Sequence, residues 1–377
     1  MADRSTTGTS ITGYGVWHPP TVLPNTELCV AFNEYVRRDN AKHADAIAAG
    51  TREALRESSP EFIVKASGIV NRYVEDKTGL VDPERMCPNI ADRPPEQLSI
   101  QAEYAVHAAR QALAVAGKAG EDVDLVIVGA SCLQRSYPAL AIEVQHAIGA
   151  RGHGFDISLG CSTGAAALDL ASQAVQLGRA RCALVALPEL TSPHLNWRDR
   201  DAHFILGDAS VAMIVEPTAR ARPGTWEIRS IHMASKWSNN IRNNFGFTNR
   251  CDPSTEGAPD KLFHQQGRRV FKDVVPMAEK FVNDMIESHG LDAHQITRYW
   301  LHQANQNMND LIAKRILGRE ATATEAPLVL AEYGNTASAG SLITFSLHNE
   351  DLPAGSVGVM AAFGAGYSLG GLVLQRT

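Results

Sequence analysis

Phe155-Asp156-Ile157-Ser158-Leu159-Gly160-Cys161-Ser162-Thr163-Gly164 is the stretch on which the fold turns. A short apolar run ends in a Gly-Cys step, and a small-residue helical segment, Ala165 to Gly178, follows at once. A strand that breaks directly into a helix is the repeating corner of α/β architecture. A side chain at such a corner lies near free backbone N–H groups and the positive end of the helix dipole. For a cysteine this position lowers the thiol pKa and favours the thiolate. The same N–H groups can hold an oxyanion after the sulfur attacks a carbonyl. Cys161 is therefore a candidate acyl-accepting nucleophile.

Outward from this corner the same grammar recurs. Asp124 to Gly129, Ala183 to Leu187 and Ser210 to Val215 read as strands, and Ser99 to Ala116 reads as a helix. Beyond a Pro/Ala/Arg-rich break at Pro217 to Gly224 come an amphipathic segment, Gly267 to Ser288, and a strand, Arg298 to Leu301. Helices at Asn305 to Leu317 and Ala339 to His348 then precede two glycine-punctuated strands, Val357 to Ala362 and Gly370 to Gln375. Alternation of strands and helices predicts helices packed on sheets. The expected division is 1–220 and 221–377, with a charged helical insertion at about 31–66 and a long loop at 235–260. The two parts resemble each other in pattern and hardly at all residue by residue.

Composition narrows the function. The chain has 377 residues, 44% hydrophobic and 20% charged, which is ordinary for a globular protein. A net charge of −6 opposes nucleic-acid binding. Six widely spaced cysteines without a CxxC pair fit reduced thiols better than a disulfide framework or a metal site. There is no apolar leader at the N-terminus and no uncharged run near the ~20 residues of a membrane helix. The expectation is a cytoplasmic protein without a metal or resident cofactor.

Two further corners carry catalytic residue types: Trp300-Leu-His302-Gln-Ala-Asn305 and Tyr333-Gly-Asn335-Thr-Ala-Ser338. Taken singly, Cys161 is a small apolar residue, His302 a core histidine and Asn335 a helix N-cap. In this order, with their flanking motifs, the chain resembles the β-ketoacyl-acyl-carrier-protein synthase III family of thiolase-fold condensing enzymes. The resemblance runs through Ile11-Thr-Gly-Tyr-Gly-Val-Trp, Ser67-Gly-Ile69, Phe155 to Gly164, Gly207-Asp-Ala209, Val270-Phe-Lys272 and Phe363 to Gly370.

The resemblance implies two similar halves in α-β-α-β-α layers and a homodimer. It implies an acyltransferase in which Cys161 takes an acyl group from acyl-CoA, a substrate and not a cofactor. Malonyl-acyl carrier protein then loses CO₂, and the carbanion attacks the acyl-Cys161. His302, as a neutral donor, and Asn335 would hold the malonyl thioester carbonyl. The backbone N–H groups of Cys161 and Ala365 would hold the acyl-transfer oxyanion. Phe62 and Arg200 fall where the family contacts CoA, and Lys65 would supply the positive charge that the family has at Ala66. Tyr137 falls where a residue shapes the acyl pocket across the dimer. Lys272, Lys314 and Arg315 fall where basic residues face the carrier protein. Asn307 replaces a family arginine, and Ala66 replaces another. The longer form resembles a subgroup primed with medium-chain acyl groups.

Other readings fit less well. A thiolase proper carries a second cysteine in the loop Phe363 to Gly370, which has none. The chalcone-synthase type shares Cys, His and Asn, but the flanking motifs fit synthase III better. A non-catalytic partner subunit is free to lose all three residues, which are intact. A papain-like hydrolase needs a Trp or similar after the cysteine and a disulfide-bearing context, neither of which is present. An acyltransferase or head-to-head acyl condenser using Cys161 without a malonyl carrier is the alternative kept.

Overall fold

The computed structural model describes residues 8–377. The chain opens with β1 (Thr9–Trp17), a short β2 (Val22–Pro24), and the helices α1 (Asn25–Lys42), α2 (Ala44–Ala48) and α3 (Pro60–Ser67). After β3 (Asn71–Tyr73) come α4 (Ile100–Ala116), β4 (Leu125–Gly129), α5 (Leu140–Ile148) and β5 (His153–Ile157). Next are α6 (Thr163–Gln176), β6 (Ala183–Glu189) and β7 (Ala209–Pro217). The second part opens on β8 (Trp226–Ser238), β9 (Ile241–Arg242) and β10 (His264–Gln265). It continues through α7 (Gly267–Glu287), β11 (Arg298–Leu301), α8 (Gln306–Leu317), α9 (Leu330–Tyr333), α10 (Gly340–Leu347), β12 (Val357–Gly364) and β13 (Gly366–Arg376).

Nine strands join in the order β11-β12-β13-β8-β1-β7-β6-β4-β5. The order contains a duplication that residue-level comparison does not reveal. In the first part β4 and β6 are parallel, while β7 runs antiparallel to both β6 and β1. In the second, β11 and β12 are parallel, while β13 runs antiparallel to both β12 and β8. The halves meet where Thr9–Ile11 of β1 pairs with Trp226–Ile228 of β8.

Burial explains the layering. Every residue of β4 and β6 is buried, as continuous apolar runs covered on both faces must be. On one outer face α4 and α5 pack on the first half's strands. On the other, α7 and α8 pack on the second half's strands. The apolar face of α7 is Val270, Val274, Val275, Ala278, Val282, Met285 and Ile286, a helical spacing. Between the halves lie α6 and α10, each touching strands of both parts. At the centre of this layer Trp226, Trp300 and Phe345 pack edge-on to one another. The result is the five-layer α-β-α-β-α arrangement.

Two expectations need adjusting. The segment 31–66 is helical at both ends, but 49–59 is irregular chain. The loop expected from 235 begins later, because β8 continues to Ser238 alongside β13. Turn-forming Asn and Ser residues dominate that sequence, yet the neighbouring strand holds it extended. From 239 to 266 the chain is a strap of short turns. It is closed at its base by the β9–β10 pair and tied by the Phe263 N–H to the His194 carbonyl at 2.7 Å.

Beside Cys161 the two halves meet closely at Gly364. A Cβ there would lie 2.6 Å from the Cys161 Cβ and 2.9 Å from its nitrogen. Gly364→Ala is expected to destabilise the protein by about 1–3 kcal/mol, the usual cost of overpacking. It should also slow acylation of Cys161. A wild-type melting temperature together with wild-type acylation would contradict this contact.

Candidate active site

Cys161 follows β5 in a turn that its own sequence builds. Gly160 takes φ +52°, a left-handed conformation that favours glycine. The Thr163 hydroxyl donates to the Gly160 carbonyl at 2.6 Å and accepts from the Leu159 N–H at 2.8 Å. Ser162 and Ser368 hydroxyls tie the turn to the second half, donating to the carbonyls of Ala362 and Leu159. The sulfur thereby comes beside its own backbone N–H and that of Ala365, in the turn between β12 and β13. The two N–H groups expected to hold an oxyanion thus converge on one sulfur.

The thiol itself departs from expectation. Burial pushes the Cys161 thiol up to about 12, and the Glu189 carboxylate adds to this. The Ala365 and Cys161 N–H groups pull the other way without overcoming it. A strand-to-helix corner lowers a thiol pKa, and here the surrounding protein outweighs it, although Cys161 is only partly buried and lines the cavity. The resting sulfur is a thiol.

Asn335 is buried beside β6 and the Gly207 loop. Its N–H donates to the Ile205 carbonyl at 2.9 Å, and its carbonyl accepts from the Gly207 N–H at 3.1 Å. Its side-chain oxygen accepts from the Ala337 N–H at 2.9 Å. That leaves the amide NH₂ as the free end, a donor without a partner among the described residues. Cys161, Asn335 and Ala365 share one cavity of about 830 Å³. Ile90, Ile100, Leu133, Leu190, Phe245 and Phe263 supply apolar wall.

His302 directly follows β11, its N–H donating to the Ala361 carbonyl at 2.8 Å. The ring is buried, with Nδ1 lacking a hydrogen-bond partner. Burial lowers its pKa to about 4, so it is a neutral imidazole at physiological pH. His302 does not line the cavity shared by Cys161 and Asn335.

The expected binding residues fall in three places. Phe62 and Arg200 meet, the guanidinium carbon 3.8 Å from the ring centre, with Arg200 Nε donating to the Glu57 carbonyl at 2.7 Å. Lys65 is exposed on α3. Its carbonyl and that of Ala66 accept from Asn307, so the asparagine in the family-arginine position caps the end of α3. Tyr137 is 85% exposed, while its neighbours Arg135 and Ser136 line the cavity. On α8, Lys314 pairs with Glu320 at 2.5 Å and Arg315 with Glu279 at 3.1 Å. These two cations are therefore engaged, whereas Lys272 is exposed with Arg268 and Arg269 at the start of α7.

Sequence reasoning missed Arg268 and Arg269, although Gly267-Arg-Arg-Val-Phe-Lys272 announces a basic helix start. It missed Arg242 and Lys261, which line the cavity from the strap, because a turn-rich segment carries no periodicity. It also missed Glu189, an acid closing an otherwise apolar strand and 1% exposed. Among the described residues no group of His, Cys, Asp and Glu is arranged to hold a metal ion, and no helix is long and apolar enough to cross a membrane.

Comparison with known proteins gives the family. The profile of the family described as 3-oxoacyl-[acyl-carrier-protein] synthase III matches residues 155–236, and that of its C-terminal part matches 286–376. A β-ketodecanoyl-[acyl-carrier-protein] synthase of Pseudomonas aeruginosa is 49% identical over 347 residues, 92% of this chain and 99% of that one. A β-ketoacyl-[acyl-carrier-protein] synthase III of Mesorhizobium japonicum is 29% identical over 329 residues, 86% of this chain and 93% of that one. The crystal structure of 3-oxoacyl-[acyl-carrier-protein] synthase III from Aquifex aeolicus superposes with a TM-score of 0.75 at 23% identity. It covers 98% of this chain and all of that one.

The raised thiol pKa has a direct consequence. The rate of Cys161 alkylation by iodoacetamide, followed by mass spectrometry, should climb about tenfold per pH unit and still be rising at pH 9. A plateau below pH 8 would mean that the helix end outweighs burial.

Proposed function

This chain belongs to the 3-oxoacyl-[acyl-carrier-protein] synthase III family, and on that footing we propose how its residues condense an acyl primer with malonyl-acyl carrier protein. The observation that carries the proposal is the meeting of Cys161, the Ala365 N–H and the Asn335 amide in one cavity. In the first half-reaction Cys161 sulfur bonds to the acyl carbonyl carbon of acyl-CoA, its proton leaves, and CoA departs as the thiol. The Cys161 and Ala365 N–H groups hold the tetrahedral oxyanion. Splitting the reaction at this thioester replaces one difficult step by two easier ones.

In the second half-reaction malonyl-carrier thioester takes the place vacated by CoA. Its C–C bond to the carboxylate breaks, CO₂ leaves, and negative charge gathers on the thioester oxygen. Asn335 Nδ2 donates to that oxygen, as does the neutral His302. His302 lies outside the residues that line the cavity, and as an imidazole with its pKa near 4 it adds no fixed cation. The carbanion then attacks the acyl carbonyl, the bond to Cys161 sulfur breaks, and the thiol is reprotonated.

The primer is of medium length. The Pseudomonas relative is named for a ten-carbon product, which implies an eight-carbon primer because condensation adds two carbons. The apolar walls from Ile90, Ile100 and Leu133 suit such a chain. For CoA, the Phe62 face now covered by Arg200 offers a stacking surface for adenine, with Arg200 and Lys65 near its phosphates. Lys272, with Arg268 and Arg269, gives an acidic carrier protein a basic landing site on a chain of net charge −6. Lys314 and Arg315 contribute to docking less than sequence position suggests, since Glu320 and Glu279 already pair with them. Tyr137, exposed beside the cavity wall, reaches a second copy of the chain in a homodimer. The enzyme works in the cytoplasm.

Two variants separate the half-reactions. His302→Ala and Asn335→Ala should each lower malonyl decarboxylation by roughly 10²–10³-fold, the usual cost of one lost oxyanion donor. Acylation of Cys161 by octanoyl-CoA should stay within a few-fold of wild type. Equal loss of both steps would overturn these roles, and preference for acetyl-CoA over octanoyl-CoA would overturn the primer.

A further inference from the structure

The catalytic roles above leave one buried ionisable group at the site unused. Glu189 closes β6 and is 1% exposed. One of its carboxylate oxygens, Oε1, accepts four hydrogen bonds. Two come from Ser131, its N–H at 2.9 Å and its hydroxyl at 3.0 Å. The other two come from Ser338, its N–H at 3.0 Å and its hydroxyl. Ser131 belongs to the segment leaving β4 and lines the cavity. Ser338 belongs to the other half of the molecule, three residues beyond Asn335. A single oxygen therefore joins the cavity wall of one half to the Asn335 turn of the other.

That turn needs holding. Ala337, between Asn335 and Ser338, has φ +46°, left-handed for a residue that carries a Cβ. Such a conformation persists only where its surroundings over-determine it. Two restraints bracket it: the Asn335 side-chain oxygen accepts from the Ala337 N–H on one side, and Glu189 binds Ser338 on the other. Without the second, Ala337 is free to relax toward the right-handed region. Its N–H would then swing away from Asn335, and the amide would lose the contact that aims its NH₂ end. The Thr336 hydroxyl, buried without a partner, offers no substitute anchor.

We propose that Glu189 is a positioning residue for the condensation step, clasping Ser131 and Ser338 so that the Ala337 turn keeps the Asn335 amide aimed at the malonyl carbonyl. The proposal rests on the role given to Asn335 above. Glu189 raises the thiol pKa of Cys161 through space, but no hydrogen bond joins the two among the described residues. The clasp therefore acts through the turn and does not serve as the base for Cys161. Burial raises the pKa of Glu189 itself, and the four donors oppose that shift. They are what let an acid occupy this position.

The test uses the full-length enzyme with octanoyl-CoA and malonyl-acyl carrier protein, measuring acylation of Cys161 and decarboxylation separately. Glu189→Ala should lower the decarboxylation kcat on the order of 10²-fold, the scale of a misplacement of about 1 Å. The KM for the malonyl carrier and the acylation rate should change less than about threefold. Glu189→Gln, which keeps an acceptor oxygen for all four donors, should restore most of the loss. Ser338→Ala removes one donor and leaves the carboxylate in place, which covers the case of a Glu189→Ala protein that does not fold. It should reproduce the same split at roughly tenfold. With wild type passing both steps, variants that lose both equally or neither, or a Glu189→Gln no better than Glu189→Ala, would overturn the clasp alone. A wild type that acylates Cys161 but does not decarboxylate malonyl carrier would overturn the role of Asn335 and the clasp with it.

Discussion

The approach of Gly364 to Cys161 is the contact on which the rest of the site depends. A turn from the first half of the chain and a turn from the second meet so closely that a methyl group does not fit between them. Only this closeness brings the Ala365 N–H to the sulfur of a residue two hundred positions earlier in the chain. The approach is held by the shared middle layer, since α6 starts just after Cys161 and packs on strands of both halves. Serine hydroxyls from each side fasten the seam, Ser162 to Ala362 and Ser368 to Leu159. The duplicated strand order is thus more than a trace of architecture. It brings a corner from each half, at Cys161 and at Ala365, to a common cavity.

The same closeness sets the electrostatics. Protein from both halves surrounds the sulfur, which raises the cost of an unpaired charge there. Both ionisable groups respond by staying neutral, the Cys161 thiol with its pKa raised and the His302 ring with its pKa lowered. A site built of neutral donors does not stabilise a charge at rest. Fixed donors act most strongly on negative charge that develops on a substrate oxygen. Asn335 fits this pattern, because its oxygen is already engaged by Ala337 and only its NH₂ end is free.

Much of this was legible in the sequence. The corner at Gly160-Cys161, the α7 periodicity and the apolar runs of β4 and β6 each follow from local pattern, and the structure places them within a residue or two of expectation. The positions of Cys161 and His302 just after strands were likewise visible, whereas Asn335, read as a third strand-to-helix corner, instead follows the short helix α9. What escaped was set by distant parts of the chain. The upward push on the thiol pKa gave no local signal, because the helix end is local while the burial and the Glu189 charge come from distant parts of the chain. Lys314 and Arg315 looked free because Glu279 comes from another helix and Glu320 from beyond the helix end. Glu189 gave no signal, since nothing in Ala-Leu-Pro-Glu reveals that serines 58 residues before it and 149 residues after it converge on one oxygen.

The central claim is that Cys161 carries the acyl group between two half-reactions. Peptide mass mapping after a single turnover with octanoyl-CoA tests it most directly, because Cys132 lines the same cavity and is the natural competitor. The octanoyl mass should lie on the Cys161 peptide alone and disappear when malonyl-acyl carrier protein is added, with 3-oxodecanoyl carrier appearing in its place. An acyl mass on Cys132, or one on Cys161 that malonyl carrier does not discharge, would contradict it.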